Sequence, residues 1–402
     1  MTHSAPLQGG RVYLDWNATA PILPAARDAM LEALAHPGNA SAVHGDGRAA
    51  RARVEEARRA VADLTGADSR AVTFVSGASE ANMTALVPDI AIDTETLLFP
   101  RLLHSAVEHP SVMAGGRFAA GDVRVIPVDS AGIVDLAVLE VEIARAVAET
   151  GRPPLVSLML ANNETGVLQP VLAAAELVHA AGGLLHVDAT QGAGRVPVTL
   201  ADTGADLMSL SAHKIGGPQG VGALVRRREG IRPRPLIAGG GQEGRARAGT
   251  ENVAAIAGFG AASREALAQL SRMSQIQAAR DWLEERVRLM CPDVVVFGAD
   301  VPRLANTSAV ALQGVPAELA LIALDLAGIS VSSGSACSSG KVAVSHVLAA
   351  MGVAPDLARC GLRVSLGSTT TRADLERFLA AFRALVSRMR PAALAESPGS
   401  GA

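Results

Sequence analysis

Short runs of apolar residues alternate with longer amphipathic stretches along the chain. Between residues 96 and 157 this alternation predicts a strand (TLLFP), a helix after His109, a strand (VRVIPVD), a helix (DLAVLEVEIARAVAET) and a strand (LVSLML). Strands that alternate with helices favour a parallel sheet with right-handed crossovers. The pattern therefore predicts an α/β fold, in which GVGALVRRR forms an antiparallel or edge strand.

Two later apolar runs end at polar side chains. The run LLHVDA ends with Asp188, and the run DLMSLS brings Ser211, which His213 and Lys214 closely follow. In open α/β sheets, ligands bind beyond the carboxyl ends of the strands. We therefore expect Asp188 and Lys214 to share one site.

The surroundings of Lys214 suit carbonyl chemistry, because small polar residues precede it and Gly216 and Gly217 follow it. Desolvation lowers the pKa of such a lysine and makes its amine a nucleophile. Pyridoxal phosphate requires a lysine for its Schiff base and an acid for its ring nitrogen. A surface lysine and a helix-capping aspartate would explain each residue taken singly. Together, and with the phosphate ligands described next, they favour the cofactor.

Other polar groups follow other predicted strands. Ser76 and Ser79 begin a helix after AVTFV, a pattern typical of an anion site and equally of an N-cap serine pair. The residues NNETG follow the strand LVSLMLA, where a ligand would lie. The glycines of GGGQEGRARAGTEN (residues 239–252) allow close backbone approach, and Arg247 and Thr250 could hold an anion there.

The three cysteines are too few and too scattered for a disulfide framework or a zinc site, so no metal site is predicted. Cys337 lies in SSGSACSSG, where only small residues surround it and no helix or strand period fits. Such a thiol is better placed to react than to pack, especially where a cation lowers its pKa. Cys360 precedes an apolar strand and is expected to pack, and Cys291 is assigned no role.

Composition limits the class of protein. The chain of 402 residues is 49% hydrophobic, 19% charged and 2% aromatic, which predicts a globular protein with a core of Ala, Val and Leu. A net charge of −3 with scattered basic residues argues against nucleic-acid binding. No apolar run is long enough to cross a membrane and the first residues do not resemble a signal peptide, so a cytoplasmic location is expected.

The length allows two domains. We expect a large domain over residues 16–260 and a small α/β domain formed by residues 1–15 and 261–392. A long amphipathic helix from Asn252 to Met290 would connect them, and the tail over residues 393–402 is expected to be disordered.

Ten stretches resemble the pyridoxal-phosphate-dependent cysteine desulfurases of the class V aminotransferase group. In chain order they are YLDWNATAP, GNASAVHGDGR, FVSGASEAN, EHPSV, NNETG, HVDATQ, SAHKIGGPQG, GGGQEGRARAGT, SSGSACSSG and RVSLG. They occur in the family's order, and the resemblance extends over nearly the whole chain, from the first stretch to the last. The resemblance implies fold type I of the pyridoxal-phosphate enzymes. This fold has a large domain with a mostly parallel sheet of the seven-stranded type, a smaller α/β domain, and a homodimer with shared active sites.

The resemblance also implies a role for each matching residue. Lys214 would form the Schiff base, Asp188 would pair with the pyridine nitrogen and Gln191 would contact the phenolic oxygen of the ring. His109, which the Glu-His pattern favours over nearby His104, would stack on the ring and move protons. The remaining implied ligands are Ser79, Ser211, His213 and a second subunit's Thr250 for the phosphate, and Asn163 and Arg363, the latter as a bidentate fork, for the substrate carboxylate.

The implied reaction converts L-cysteine to L-alanine and leaves the sulfur as a persulfide on Cys337. A sulfur-acceptor protein, for example in iron–sulfur cluster assembly, would then receive it, and the spacing after Cys337 resembles the family's long-loop branch. The chain departs from the family at Trp16, where Asn is usual. Three alternatives remain open: a transaminase, which would not need Cys337, a selenocysteine lyase, and a non-catalytic scaffold that binds the cofactor.

Overall fold

The structure is a computed structural model that describes residues 10–334 and 344–391. Its α-helices are α1 (Pro24–Leu34), α2 (Gly45–Thr65), α3 (Ala78–Ala85), α4 (Pro110–Met113), α5 (Leu136–Thr150), α6 (Val171–Ala180), α7 (Leu200–Thr203), α8 (Val253–Gln269), α9 (Met273–Met290), α10 (Ala317–Leu326), α11 (His346–Ala350), α12 (Pro355–Ala358) and α13 (Arg372–Met389). Its strands are β1 (Val12–Tyr13), β2 (Val72–Val75), β3 (Asp89–Ile92), β4 (Glu95–Leu98), β5 (Leu102–Ser105), β6 (Val123–Ile126), β7 (Leu155–Met159), β8 (Leu184–Asp188), β9 (Leu207–Ser211), β10 (Gly222–Arg226), β11 (Ile231–Pro233), β12 (Val295–Val296), β13 (Thr307–Ala311), β14 (Ile329–Ser330), β15 (Ser332–Ser333) and β16 (Gly361–Ser365). None of the helices in these ranges has the length and apolar character needed to span a bilayer.

A seven-stranded sheet lies at the centre of the molecule, in the order β2-β10-β9-β8-β7-β5-β6. The strands from β9 to β6 are parallel, whereas β10 is antiparallel to both of its neighbours. Every residue of β7, β8 and β9 is buried, as expected of parallel strands that helices cover on both faces. The prediction of an α/β fold with a mostly parallel seven-stranded sheet is confirmed.

The strand predicted at TLLFP belongs to a different sheet. Residues Glu95–Leu98 form β4, which lies in an antiparallel sheet with β3 and β11 and is largely exposed. The next apolar run, Leu102–Ser105, forms β5 of the central sheet and is entirely buried. Periodicity did not separate the two runs because both are short and apolar, and only their burial distinguishes them.

A second hydrophobic cluster packs against another antiparallel sheet, in the order β12-β13-β16-β15. This cluster contains residues of α9, α10 and α13 together with Val12 and Leu14, whereas the main cluster ends at Ala266. The predicted connecting helix is in fact two helices, α8 and α9, separated by a 3-10 turn at Leu270–Arg272. The domain boundaries themselves remain a prediction.

Strand β10 lies between β2 and β9 and pairs with both of them. Gly222, its first residue, pairs with Val75 on one side and with Ser211 on the other. A Cβ atom at this position would lie 2.5 Å from the backbone oxygen of Leu210 and 2.8 Å from the backbone of Gly77. Glycine is therefore required if the turn after β2 is to lie this close to β9.

Candidate active site

Lys214 ends a short 3-10 turn, Ala212–Lys214, that directly follows β9. Its Nζ donates hydrogen bonds to the backbone oxygens of Asn17 (2.7 Å) and Ala18 (2.8 Å). Burial, together with the positive charges of Arg363 and Arg195, lowers the pKa of the amine from 10.5 to about 7. A substantial fraction of this amine is therefore uncharged and nucleophilic near neutral pH.

Asp188 is the last residue of β8, the strand beside β9. Its buried carboxylate accepts hydrogen bonds from the side-chain amide of Asn82 (2.9 Å) and from the backbone N–H of Thr190 (3.0 Å). Asp188 acts electrostatically on both Lys214 and His109, so the structure brings the three predicted residues together. Asn82 could not be predicted from a local pattern, because its contact with Asp188 spans 106 residues.

His109 precedes α4 and its side chain caps the helix. The imidazole Nδ1 lies 2.8 Å from the hydroxyl of Ser111. Desolvation by the surrounding protein lowers the pKa of His109; the charge of Asp188 raises it and that of Lys214 lowers it. The competing histidine, His104, is buried within β5, with its Nδ1 2.9 Å from a backbone oxygen.

The residues expected to bind a phosphate lie on two sides of β10. Ser211 is the last residue of β9, and Ser79 is exposed in the first turn of α3. The Nδ1 of His213 lies 3.1 Å from the hydroxyl of Thr19. Burial, reinforced by the charge of Lys214, lowers the pKa of His213 to about 4, so its ring is neutral. Two hydroxyls and the free N–H groups of a helix start therefore border the same strand.

The glycine-rich loop supplies less to this cluster than the sequence predicted. Arg247, a suggested anion ligand, forms an ion pair with Glu80 at 3.0 Å through two of its guanidinium nitrogens, and its role with an anion stays a prediction. Thr250 is exposed, and its hydroxyl has no hydrogen-bond partner among the described residues. If Thr250 has a binding role, its hydroxyl must bind a group other than the described residues of this chain.

The Gln191 side chain is already engaged on both of its polar atoms. Its amide nitrogen donates to the backbone oxygen of Asn17 (3.0 Å), and its amide oxygen accepts from Arg195. Arg195 is buried and also donates to the backbone oxygens of Trp16 and Lys214, both at 3.3 Å. All its hydrogen-bond acceptors in the described ranges are neutral. Arg195 matches none of the local sequence patterns that predicted the other site residues.

Arg363 lies in β16 and reaches the loop after β7. One guanidinium nitrogen donates to Asp15 at 2.7 Å, and another donates to the backbone oxygen of Asn163 at 2.8 Å. Its Nε is buried and has no partner among the described residues. The guanidinium expected to bind a carboxylate thus lies near Asn163 and keeps one donor unused, although Asp15 occupies part of its fork.

Cys337 lies outside the described residues, so the structure does not position it. The described residues on either side of that gap meet at Glu164, which is buried. Glu164 accepts a hydrogen bond from the Ser345 hydroxyl, and a Cβ atom on Gly334 would collide with the same carboxylate. The chain on both sides of the gap is therefore anchored beside the NNETG turn.

These residues fit pyridoxal phosphate. The cofactor needs an uncharged amine, a carboxylate for its ring nitrogen and an anion site for its phosphate. The structure supplies Lys214 with its lowered pKa, Asp188 held by two donors, and the hydroxyl-lined helix start beside β10.

Comparison with known proteins places the chain in a family. The aminotransferase class-V family profile matches residues 12–378. The chain belongs to this family. A curated relative from Cereibacter sphaeroides named cysteine desulfurase is 43% identical over 386 residues, covering 94% of this chain and 97% of the relative. A second relative, from Dictyoglomus turgidum, is named cysteine desulfurase IscS. It is 36% identical over 384 residues, which cover 94% of this chain and 95% of the relative.

Solved structures agree with this assignment. The NifS-like protein from Rickettsia africae is 35% identical to this family member and superposes with a TM-score of 0.84, covering 94% of this chain and 99% of the other. A second structure, described as SspA in complex with cysteine, is 27% identical with a TM-score of 0.70, covering 88% of this chain and 98% of that one. The expected fold type I of the pyridoxal-phosphate enzymes is confirmed.

Proposed function

We propose that this protein is a pyridoxal-phosphate-dependent cysteine desulfurase that converts L-cysteine to L-alanine and holds the sulfur as a persulfide on Cys337. One observation carries the proposal. A half-buried lysine with a pKa of about 7 follows one central strand, and a carboxylate held by two donors ends the neighbouring strand. The relatives named cysteine desulfurase support the choice of reaction within the family.

The cofactor-binding residues proposed are Lys214 for the covalent link, Asp188 for the ring nitrogen, and Ser79, Ser211 and His213 for the phosphate. When bound, pyridoxal phosphate supplies an electron sink for the bond changes at the substrate. The carboxylate of Asp188 would accept a hydrogen bond from the protonated ring nitrogen. Gln191 uses one amide hydrogen on the backbone oxygen of Asn17, and its second amide hydrogen is the donor proposed for the phenolic oxygen.

The substrate carboxylate is proposed to bind at Arg363 and Asn163, where the buried Nε of Arg363 is an unused donor. Lys214, once released from the cofactor link, takes the proton from the substrate Cα at its Nζ, and its pKa of about 7 leaves a substantial fraction of that amine uncharged and able to act as a base at neutral pH. His109 is proposed to assist proton movement, and its electrostatic interactions with Asp188 and Lys214 support this choice over His104, which is buried within β5.

The sulfur step needs a thiolate at Cys337. That thiolate attacks the sulfur of the substrate, a sulfur–sulfur bond forms, and the carbon–sulfur bond breaks. The electron pair of the broken bond remains on the substrate carbon, which gains a proton and becomes the methyl group of alanine. The substrate is thereby reduced at carbon, and the two sulfurs share the oxidation as a persulfide.

A homodimer, a sulfur-acceptor protein and a cytoplasmic location belong to the same proposal. In the dimer, Thr250 of one subunit would bind the phosphate held by the other. The exposure of Thr250 and the absence of a partner for its hydroxyl among the described residues support this part. Iron–sulfur cluster assembly is the proposed use of the persulfide sulfur.

The direct test incubates the purified protein with L-cysteine, with and without a thiol reductant, and measures alanine and sulfide. We expect alanine in both reactions, sustained sulfide release only with the reductant, and one added sulfur, about 32 Da, on the Cys337 peptide. Cys337→Ser should keep the cofactor absorbance and lose alanine formation. Cys360→Ser is the matched control, because Cys360 is buried and donates to a backbone oxygen.

Alanine and sulfide produced by Cys337→Ser at the wild-type rate would overturn the persulfide mechanism and favour direct sulfide release. A protein that binds the cofactor but forms no alanine from L-cysteine would instead favour a scaffold or another amino-group reaction.

A further inference from the structure

Two side chains join the Asp188 carboxylate to the His109 ring. The amide nitrogen of Asn82 lies 2.9 Å from the Oδ2 atom of Asp188 and 2.9 Å from the hydroxyl of Ser111. The same hydroxyl lies 2.8 Å from the Nδ1 atom of His109, and the backbone N–H of Ser111 donates to that Nδ1 at 3.2 Å. The result is an uninterrupted hydrogen-bonded path from a carboxylate to an imidazole.

The direction of each hydrogen bond along this path follows from what each group can donate. An ionised carboxylate only accepts, so the Asn82 amide must present its NH₂ group to Asp188. The second hydrogen of that NH₂ group then points to Ser111. The amide oxygen of Asn82 is buried and has no partner among the described residues, so the carboxylate rather than the amide's own oxygen sets this orientation.

The Ser111 hydroxyl extends this order of donors and acceptors to His109. Its oxygen accepts from Asn82, which leaves its single hydrogen for the Nδ1 atom of His109. The backbone N–H of Ser111 is a second donor aimed at the same nitrogen. A nitrogen that faces two donors carries a lone pair, so the proton of the neutral ring belongs on Nε2.

We infer that Asn82 and Ser111 are positioning residues that hold neutral His109 as its Nε2–H tautomer and fix its ring relative to the Asp188 carboxylate. Neither residue touches the reacting groups in this scheme. Both act through His109. The direction of their hydrogen bonds is set by Asp188, which accepts a hydrogen bond from Asn82.

The charged surroundings of His109 agree with a neutral ring. Asp188, Lys214 and His346 are the ionisable groups that act on it, and the Nε2 of His346 is itself engaged by the backbone oxygen of Glu108 at 3.0 Å. Desolvation lowers the pKa of His109. The Nε2 of His109 has no hydrogen-bond partner in the described part of the chain, which leaves it for a bound molecule.

The inference rests on the proposed function for its catalytic meaning and refines the role of His109. Neutral His109 offers a hydrogen-bond donor at Nε2 and cannot take up a proton at that atom. A proton can enter only at Nδ1, where it would face the two Ser111 donors. Removal of the Cα proton therefore falls to Lys214, and His109 acts first as a donor.

The test measures the pKa of each histidine in the full-length, cofactor-loaded protein by hydrogen–deuterium exchange at the imidazole carbon, read by mass spectrometry. Ser111→Ala removes a donor that stabilises the neutral ring, so the pKa of His109 should rise by about half to one unit, the size of one neutral hydrogen bond. Ser111→Thr keeps the hydroxyl and should restore the wild-type value. Ser387→Ala, at an exposed helical serine, is the matched control, and His104 is an internal reference.

Asn82→Ala is a second variant that tests the inference independently. It frees the Ser111 hydroxyl to accept a hydrogen bond from a protonated Nδ1, so the pKa of His109 should rise here too. Nitrogen-15 NMR of histidine-labelled protein should show the Nε2–H form in the wild type. An Nδ1–H ring, or an unchanged His109 pKa in Ser111→Ala, overturns the inference. These readouts do not require turnover, so failure to make alanine would count against the proposed function alone.

Discussion

Lys214 is set apart from an ordinary lysine by the charges that surround it. Its Nζ donates to two backbone oxygens, and two buried guanidinium groups, those of Arg363 and Arg195, oppose its protonation. Arg363 has a carboxylate partner in Asp15, whereas the acceptors of Arg195 are an amide and backbone oxygens. Burial lowers the pKa of Arg195 itself to about 10, and the guanidinium is still charged at neutral pH. Arg195 therefore acts on Lys214 as a largely uncompensated positive charge.

Replacing Arg195 with methionine should raise the pKa of Lys214 from its value of about 7. A rise of about one unit is expected from removing one nearby like charge, while burial continues to hold the pKa below 10.5. Near pH 7.5 the variant amine would then be mostly protonated. The measurement is the pH dependence of Lys214 acylation in cofactor-free protein, followed by mass spectrometry of the labelled peptide.

Arg388→Met is the matched control for this prediction, because Arg388 is exposed in the last turn of α13 and should leave the Lys214 profile unchanged. An Arg195→Met profile that overlies the wild type would show that Arg195 does not lower the pKa of Lys214, and would leave burial and the charge of Arg363 as its causes.

Secondary structure determines which parts of the site were visible in the sequence. Asp188, Ser211 and Lys214 were predicted because each stands at the end of an apolar run, and that signal is local. Asn82, Arg195 and Asp15 were missed because their roles depend on contacts between distant parts of the chain, and Asp15 meets Arg363 across 348 residues. The central strand β5 was missed for a related reason, since burial on both faces is a property of the folded sheet.

Among the strands, β10 has the least expected place. The sequence predicted an antiparallel or edge strand at GVGALVRRR, and the strand is antiparallel but lies inside the sheet. Its insertion separates β2 from β9 by two strand spacings, about 10 Å. The start of α3 and the end of β9 thus lie on opposite sides of Gly222, where the proposed function has the phosphate group bind.

Gly222→Ala should therefore damage both the fold and the anion site. The added Cβ would lie 2.5 Å from the Leu210 oxygen and 2.8 Å from the Gly77 backbone, so β10 or the start of α3 must move. We expect a loss of about 1–3 kcal/mol in the free energy of unfolding and weaker cofactor binding. Thermal unfolding and titration of the visible absorbance with pyridoxal phosphate measure the two effects.

Gly121→Ala is the control, because a Cβ there meets no atom within 4 Å and the backbone is not left-handed. If Gly222→Ala binds the cofactor as tightly as Gly121→Ala does, the close approach of α3 to β9 is not needed for the phosphate.

At the scale of the whole molecule, the glycine-rich loop is fixed at its base and exposed at its end. The buried Glu243 carboxylate accepts hydrogen bonds from Arg58 at 2.6 and 2.9 Å and from the backbone N–H of Phe74 at 2.8 Å. Glu243 and Arg245 have left-handed backbone angles, which are costly for residues other than glycine. The ion pair and this hydrogen bond together hold a strained loop in place, and the loop ends at exposed Thr250.

A loop that is held in place by its own chain and still leaves Thr250 exposed suits a role across a subunit interface. The proposed function assigns Thr250 to the phosphate of a second subunit, and mixing two inactive variants tests this directly.

Lys214→Ala lacks the amine, and Thr250→Asp places a carboxylate where the phosphate would bind. Each variant alone should be nearly inactive in alanine formation. In a hybrid dimer, the Thr250→Asp subunit keeps its own Lys214 and receives an intact Thr250 from its partner. If subunits pair at random, unfolding and refolding an equal mixture should make about half of the dimers hybrids, each with one restored site. The mixture should therefore show about a quarter of the wild-type activity per subunit.

A mixture of Lys214→Ala with Lys214→Ala/Thr250→Asp, in which no subunit has the amine, is the matched control and should stay inactive. If the first mixture is no more active than its two components, although exchange of labelled subunits has occurred, Thr250 acts within its own chain and the shared site is wrong.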